Sequence, residues 1–288
     1  MNDSKQKSWF SEFYAHDVKF ALELEEVLYE EQTPFQYIKF MKNATFGTFF
    51  TLDGYIMATQ KDEFAYHDMI CHPAMAVNPA VKKVLIIGGG DGGTAREVAK
   101  YSFIESIDLV EIDERVVRLC QKYMPQTAAV FEKDQRIKLH FCDGLRFVSK
   151  ATNGAYDLIL VDSTDPIGPG EGLFTLDFYY NCYRILGPSG ILINQHESAF
   201  YDIDIKEMQR AHQKLKKVFP IAKVYGFNMP SYASGYWYFG FASKSLDPLA
   251  DAKYQQWQSL RIPTRYYNTE IHQASFALPN YVREILQR

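Results

Sequence analysis

No run of 18 or more apolar residues occurs anywhere in the chain, and its opening, MNDSKQKSWFSEFY, lacks the apolar stretch of a signal peptide. A cytoplasmic protein with no membrane partner is expected. Like charges never run to five in a row, and a formal net charge of -4 offers nothing to a polyanion, so nucleic acid is not an expected partner. Cysteines number four, Cys71, Cys120, Cys142 and Cys182, all far apart. They form no C-x-x-C and no grouping with histidine at metal-ligand spacing, so no metal is expected and each reads as a small buried hydrophobe. Repeats and low-complexity tracts are missing as well.

What the chain has is apolar and aromatic mass: 47% of its 288 residues are hydrophobic and 15% aromatic, enough for one α/β core and a smaller appended unit. From Phe20 to about Thr59 the segments FALELEEVLYEE, FQYIKFMKN and GTFFTLDGYIMAT are short and strand-like, with Asp53-Gly54 placed as a hairpin turn. A small antiparallel sheet is expected there, in an N-terminal β-domain over residues 1–62. After Asn78-Pro79 strands and helices alternate. KKVLIIG, SIDLVEID, IKLHFCD, YDLILVDS and GILINQ read as strands, separated by helical TAREVAKY, ERVVRLCQKYM, LRFVSK and FYYNCYRIL. A further helix, DIKEMQRAHQKLKKVF, precedes strands around IAKVYGF and GYWYFGFAS. The pattern predicts an α/β domain over residues 63–288 that resembles the Rossmann-like methyltransferase type, a parallel sheet flanked by helices.

Gly88-Gly89-Gly90-Asp91-Gly92-Gly93 follows an apolar strand and opens a helix, in the context that G-x-G-x-x-G requires. Glu111, ending the next strand, is placed to accept hydrogen bonds from ribose hydroxyls, so a nucleoside ligand is expected. Asp91 reads two ways. It either caps the helix that begins near Gly92 or puts a negative charge where a dinucleotide would bring its pyrophosphate, favouring a cationic ligand instead. Asp143 and Asp162 end further strands, with Asp165 three residues beyond Asp162. So many acids on the carboxyl rim of one sheet repel one another unless a cation binds among them. The following DSTDPIGPGEGLF is too rich in proline and glycine for helix or central strand and reads as a lid over the rim.

Six segments, LDGYIMATQKDEFAYHDM, VLIIGGGDGGTAREV, LVEIDERVV, DLILVDSTDPIGPGEGLF, MPSYASG and RYYNTEIHQASFALP, occur in the order seen in spermidine synthases, and the chain resembles that polyamine aminopropyltransferase family over nearly its whole length. The resemblance implies an enzyme that moves an aminopropyl group from decarboxylated S-adenosylmethionine to a diamine, putrescine foremost, releasing methylthioadenosine. The sulfonium nucleoside is then a co-substrate, and no cofactor or metal is implied. Carried over, Gln36 contacts the donor's nucleoside end, Asp91 its propylamine, Glu111 its ribose, Asp143 with Gly144 its adenine, and Pro169 lines the adenine pocket. Tyr66, His67, Asp162, Asp165 and Tyr232 surround the diamine, with Asp162 as the base. A homodimer or homotetramer is implied, with the N-terminal domain in oligomerisation and in part of the active site. INQHESAFYD and GYWYFGF depart from the pattern, and part of the first is expected to line the acceptor channel. Two competitors share the fold: an S-adenosylmethionine-dependent amine N-methyltransferase, and a NAD-binding dehydrogenase or non-catalytic nucleotide-binding regulator. Asp91 opposes the former, since that donor keeps a carboxylate, and the acidic rim opposes the latter.

Overall fold

The computed structural model describes residues 8–15, 17–164 and 168–287; the side chains of Ala15, Gly168 and Pro169 are not described. Six strands come first, β1 (Ser8–Ala15), β2 (Val18–Leu24), β3 (Glu26–Gln32), β4 (Tyr37–Asn43), β5 (Gly47–Leu52) and β6 (Tyr55–Thr59), followed by helix α1 (Glu63–Val77). Alternation then runs through β7 (Lys83–Gly88), α2 (Gly93–Ala99), β8 (Ser106–Glu111), α3 (Glu114–Tyr123), the single turns α4 (Pro125–Ala128) and α5 (Val130–Lys133), β9 (Ile137–Phe141), α6 (Gly144–Lys150) and β10 (Tyr156–Asp162). A 3-10 helix over Gly168–Phe174 leads to α7 (Leu176–Ile185), β11 (Leu186–Gln195), α8 (Asp202–Val218), β12 (Ile221–Asn228) and β13 (Tyr236–Ser243). Three short helices close the chain: α9 (Tyr254–Ser259), α10 (Thr269–Ser275) and α11 (Asn280–Gln287).

The large sheet has the order β12-β13-β11-β10-β7-β8-β9, parallel except where β13 runs against β11 and β12. Its central strands are apolar on both faces, as a sheet covered by helices demands. One face packs against α1, α2 and α9, the other against α6, α7 and α8. The N-terminal region holds two antiparallel sheets, the hairpin β1-β2 and the meander β3-β4-β5-β6, rather than the single sheet expected from Phe20 onward. Through Ile38, Phe40 and Phe50 the meander packs on Val116, Leu119 and Cys120 of α3.

Helix α1 is the main element the sequence pattern did not announce. All its residues except Phe64 are buried, so it shows no amphipathic stripe, and Pro73 sits inside it. The segment expected to exclude helix does form a 3-10 turn at Gly168–Phe174, a short tight helix that glycine and proline tolerate. Of the four cysteines, Cys142 is only half-buried, at the end of an edge strand, whereas the other three are core.

Candidate active site

Chain order dictates where a ligand goes. From β7 the chain turns outward to β8 and β9 on one side, and β10 returns to pair on the other, so the crevice opens beyond the carboxyl ends of β7 and β10. A cleft there holds about 1150 Å³ of protein-free space, its open mouth included, and is lined by Gln36, Tyr66, His67, Asp91, Glu111, Asp143, Gly144, Asp162 and Tyr232. These are the residues expected from sequence, apart from Asp165 and Pro169. Asp165 lies outside the described residues and nothing is said of the Pro169 side chain; the middle of the expected lid falls in the same gap.

The glycine turn brings backbone close to Asp162. Gly88 adopts φ +81°, and a Cβ there would sit 2.0 Å from the carbonyl oxygen of Asp162, so no other residue fits. Asp91 does cap the start of α2, and its second oxygen faces a histidine: one carboxylate oxygen accepts the Gly93 N–H at 2.7 Å, and the other lies 3.3 Å from His67 Nε2. Glu111 accepts the Asp113 N–H at 3.0 Å, and Asp113 in turn receives Thr33 Oγ1 (2.7 Å) and Gln36 Nε2 (3.2 Å), which ties the N-terminal meander to the Glu111 side of the cleft. Asp143, the one exposed member, caps α6 through the Leu145 N–H.

Burial acts differently on each acid. It pushes Glu111 up to about 7. Burial and repulsion from Asp91 push Asp162 up to about 6, against a 2.6 Å hydrogen bond from Thr94 Oγ1. Asp91 is buried too, yet the adjacent His67 imidazole outweighs burial and holds it below the usual carboxylate value. On the other wall the Tyr66 hydroxyl donates to Gln195 Oε1 at 3.2 Å, Gln195 Nε2 donates to Glu197, and the Tyr232 hydroxyl donates to the Met57 carbonyl. Tyr232 stacks edge-on against Trp237 with ring centroids 4.8 Å apart, so this wall is aromatic.

Several lining residues escaped the sequence reading. Glu12 and Tyr14 come from β1, a strand not anticipated; Glu12 is buried and accepts the Ile56 N–H at 2.9 Å. Glu63 lay inside a quoted motif without being assigned a part. Gln195, within the stretch expected to line the acceptor channel, does line the cleft, as does Trp237.

Residues 63–253 match the family model for the spermine/spermidine synthase domain, and residues 8–60 that for the spermidine synthase tetramerisation domain. The chain belongs to the spermidine synthase family of polyamine aminopropyltransferases. It is 61% identical to the polyamine aminopropyltransferase of Clostridium acetobutylicum over 97% of this chain and 98% of that one. It is 53% identical to that of Alkaliphilus oremlandii at the same coverage. A solved spermidine synthase bound to the transition-state analogue AdoDATO superposes with a TM-score of 0.95 at 41% identity, covering 98% of this chain and 96% of the other. The spermidine synthase of Thermotoga maritima gives 0.93 at 40%, covering 98% and 95%. The central sheet and N-terminal strands described above are thus a spermidine synthase fold, and the donor of this family is a sulfonium co-substrate.

Proposed function

We propose that this aminopropyltransferase uses putrescine as its acceptor and gives spermidine and methylthioadenosine, working in the cytoplasm as a homodimer or homotetramer. Residues 1–62 form the unit that assembles subunits and completes the cleft, and residues 63–288 the catalytic domain. One observation carries the reading: two neighbouring carboxylates, Asp91 buried and Asp162 half-buried, are driven apart, Asp91 kept ionised and Asp162 raised to about 6. Divergent environments for paired acids assign their tasks. Asp91 holds the donor's ammonium, and Asp162 receives the acceptor's proton.

The donor's nucleoside lies along Gln36, Glu111, Asp143 and Gly144, and the diamine along Tyr66, His67, Asp162 and Tyr232. The chemistry then balances simply. An acceptor ammonium gives one proton to Asp162, its nitrogen lone pair attacks the carbon next to the sulfonium, and the carbon–sulfur bond breaks onto sulfur. A secondary ammonium and a neutral thioether remain. Alkyl ammonium groups have a pKa of about 10.4, so without a base almost no acceptor is nucleophilic at neutral pH. Product analysis by mass spectrometry, with decarboxylated donor and putrescine, cadaverine or spermidine as acceptors, tests the reading. Spermidine as the main product from putrescine is expected; a clear preference for another amine moves the acceptor assignment, and methyl transfer from S-adenosylmethionine would replace the reading altogether.

A further inference from the structure

Behind Asp91 stands a chain of charged groups, His67, Glu63 and Arg96, of which the roles above use only His67. Glu63 Oε2 lies 2.5 Å from His67 Nδ1, and Arg96 grips both oxygens of Glu63, Nη1 to Oε1 at 3.0 Å and Nη2 to Oε2 at 2.9 Å. The far ring nitrogen of His67 points to Asp91 Oδ2 at 3.3 Å. His67 is 2% exposed and Glu63 4%. The ring fits because residue 93 is glycine: a Cβ there would stand 2.1 to 2.4 Å from three ring atoms.

A neutral imidazole donates from one nitrogen only, so a ring with a carboxylate at each nitrogen is satisfied only as the imidazolium. The other groups facing it are Tyr66 on its own helix and Asp162 on β10, neither of which adds positive charge at neutral pH, while Arg96 acts through Glu63. Burial opposes the charge, but Asp91 and Glu63 together hold His67 well above its ordinary value, and Glu63 itself is brought down to about 2 by His67 and Arg96 against its burial.

We propose that Glu63, clamped by Arg96, is a positioning residue for aminopropyl transfer: it fixes His67 as a two-armed cationic donor that aims Asp91 and keeps it charged beside Asp162. The proposal rests on the reading of Asp91 as the acid that holds the donor's ammonium. Two consequences follow from the geometry. Asp91 and Asp162 repel each other, and a fixed positive charge on the Asp91 side decides which of them carries a proton. His67, having no free lone pair, cannot take the acceptor's proton, which leaves that step to Asp162.

The test compares wild type with Glu63→Gln and Arg96→Lys for kcat and KM of the decarboxylated donor from pH 5.5 to 9, and reads ¹⁵N signals of histidine-labelled enzyme, with the His67 signals assigned by their loss in His67→Gln. In wild type His67 should stay doubly protonated well above the ordinary histidine value. In Glu63→Gln its ring should titrate closer to the ordinary histidine value of about 6.5, so kcat/KM relative to wild type should fall as pH rises through that region, by up to about a hundredfold for a misaimed group. Arg96→Lys, which keeps the charge and loses the fork, should show a smaller loss of the same sign. A merely structural role would give a pH-independent loss that follows the drop in melting temperature. An imidazolium signal and pH profile unchanged in Glu63→Gln would overturn the proposal while leaving Asp91 its role. A donor KM unmoved by Asp91→Asn would instead remove that role, and the proposal with it.

Discussion

Asp162 and Glu111 show how one physical cause, burial at the end of a strand, serves two ends. Asp162, raised to about 6, must be ionised to act as the proposed base, so turnover should fall as pH drops through that value. Asp162→Asn should lower kcat by about 10² to 10⁴ and erase that acid limb, and alkaline pH should partly restore it by supplying free amine. If Glu111, raised to about 7, meets ribose hydroxyls as proposed, they donate to its charged form, so binding should lower its pKa and release a proton. Methylthioadenosine, having no ammonium, isolates this effect. Its affinity should rise with pH up to about 7 and then level, whereas Glu111→Gln should bind it weakly at every pH. Calorimetry in buffers of different ionisation heat reads the proton directly; no release near pH 6.5 would remove the ribose role. Both acids were legible in the sequence because each ends an apolar strand. Their raised pKa values were not, since they come chiefly from burial, which no spacing reveals.

Helix α1 carries Glu63, Tyr66 and His67, and a second charged group on the same helix anchors it away from the cleft. Asp68, His72 and Glu97 bring one ligand-type atom each within 4.8 Å of one another, an array at metal-ligand distance. Their atoms are engaged: Asp68 Oδ2 accepts the N–H groups of Arg265, Tyr266 and Tyr267, and Glu97 pairs with Arg96, Lys100 and His72. His72 Nδ1 lies 2.8 Å from the Tyr101 hydroxyl, which also accepts the Trp257 indole N–H. Removing one partner of such a buried group costs about 3 to 5 kcal/mol, so Asp68→Ala should lose that much in urea unfolding at pH 7. Burial raises Asp68, but His72 and the three N–H groups bring it well below the ordinary carboxylate value, so its stabilisation is present above about pH 3.8 and lost on acidification. His72, held well above the ordinary histidine value, contributes fully below about pH 6.5 and loses its share only as pH rises past its folded value. The difference between wild type and Asp68→Ala should therefore shrink below pH 4. The parallel strands announced themselves as apolar runs bounded by turns. Helix α1 did not, because a helix buried all round has no period to detect, and the closing segment RYYNTEIHQASFALP shows its use only once Asp68 is seen holding its backbone.

At the scale of the whole molecule, hairpin β1-β2 is expected to link assembly to chemistry. Along β1 the side chains alternate, so Glu12 is buried and lines the cleft while Trp9 and Phe13 point outward at 55% and 64% exposure. Two large aromatics on a hairpin that packs inward through Phe10, within the region matching a tetramerisation domain, mark the face expected to meet a second copy. Symmetry makes each substitution count twice in a closed dimer contact. Losing four aromatic side chains at about 1.5 kcal/mol each removes about 6 kcal/mol, which weakens association roughly 10⁴-fold. The double variant Trp9→Glu with Phe13→Glu should therefore sediment as a smaller species at micromolar concentration. The same strand delivers Glu12 and Tyr14 to the cleft, so a hairpin freed from its partner should also raise KM, with less effect on kcat at saturation because Asp91 and Asp162 stand on the central sheet. Dissociation without a change in KM would mean that the hairpin holds the cleft unaided; an undiminished assembly would place the subunit contact elsewhere.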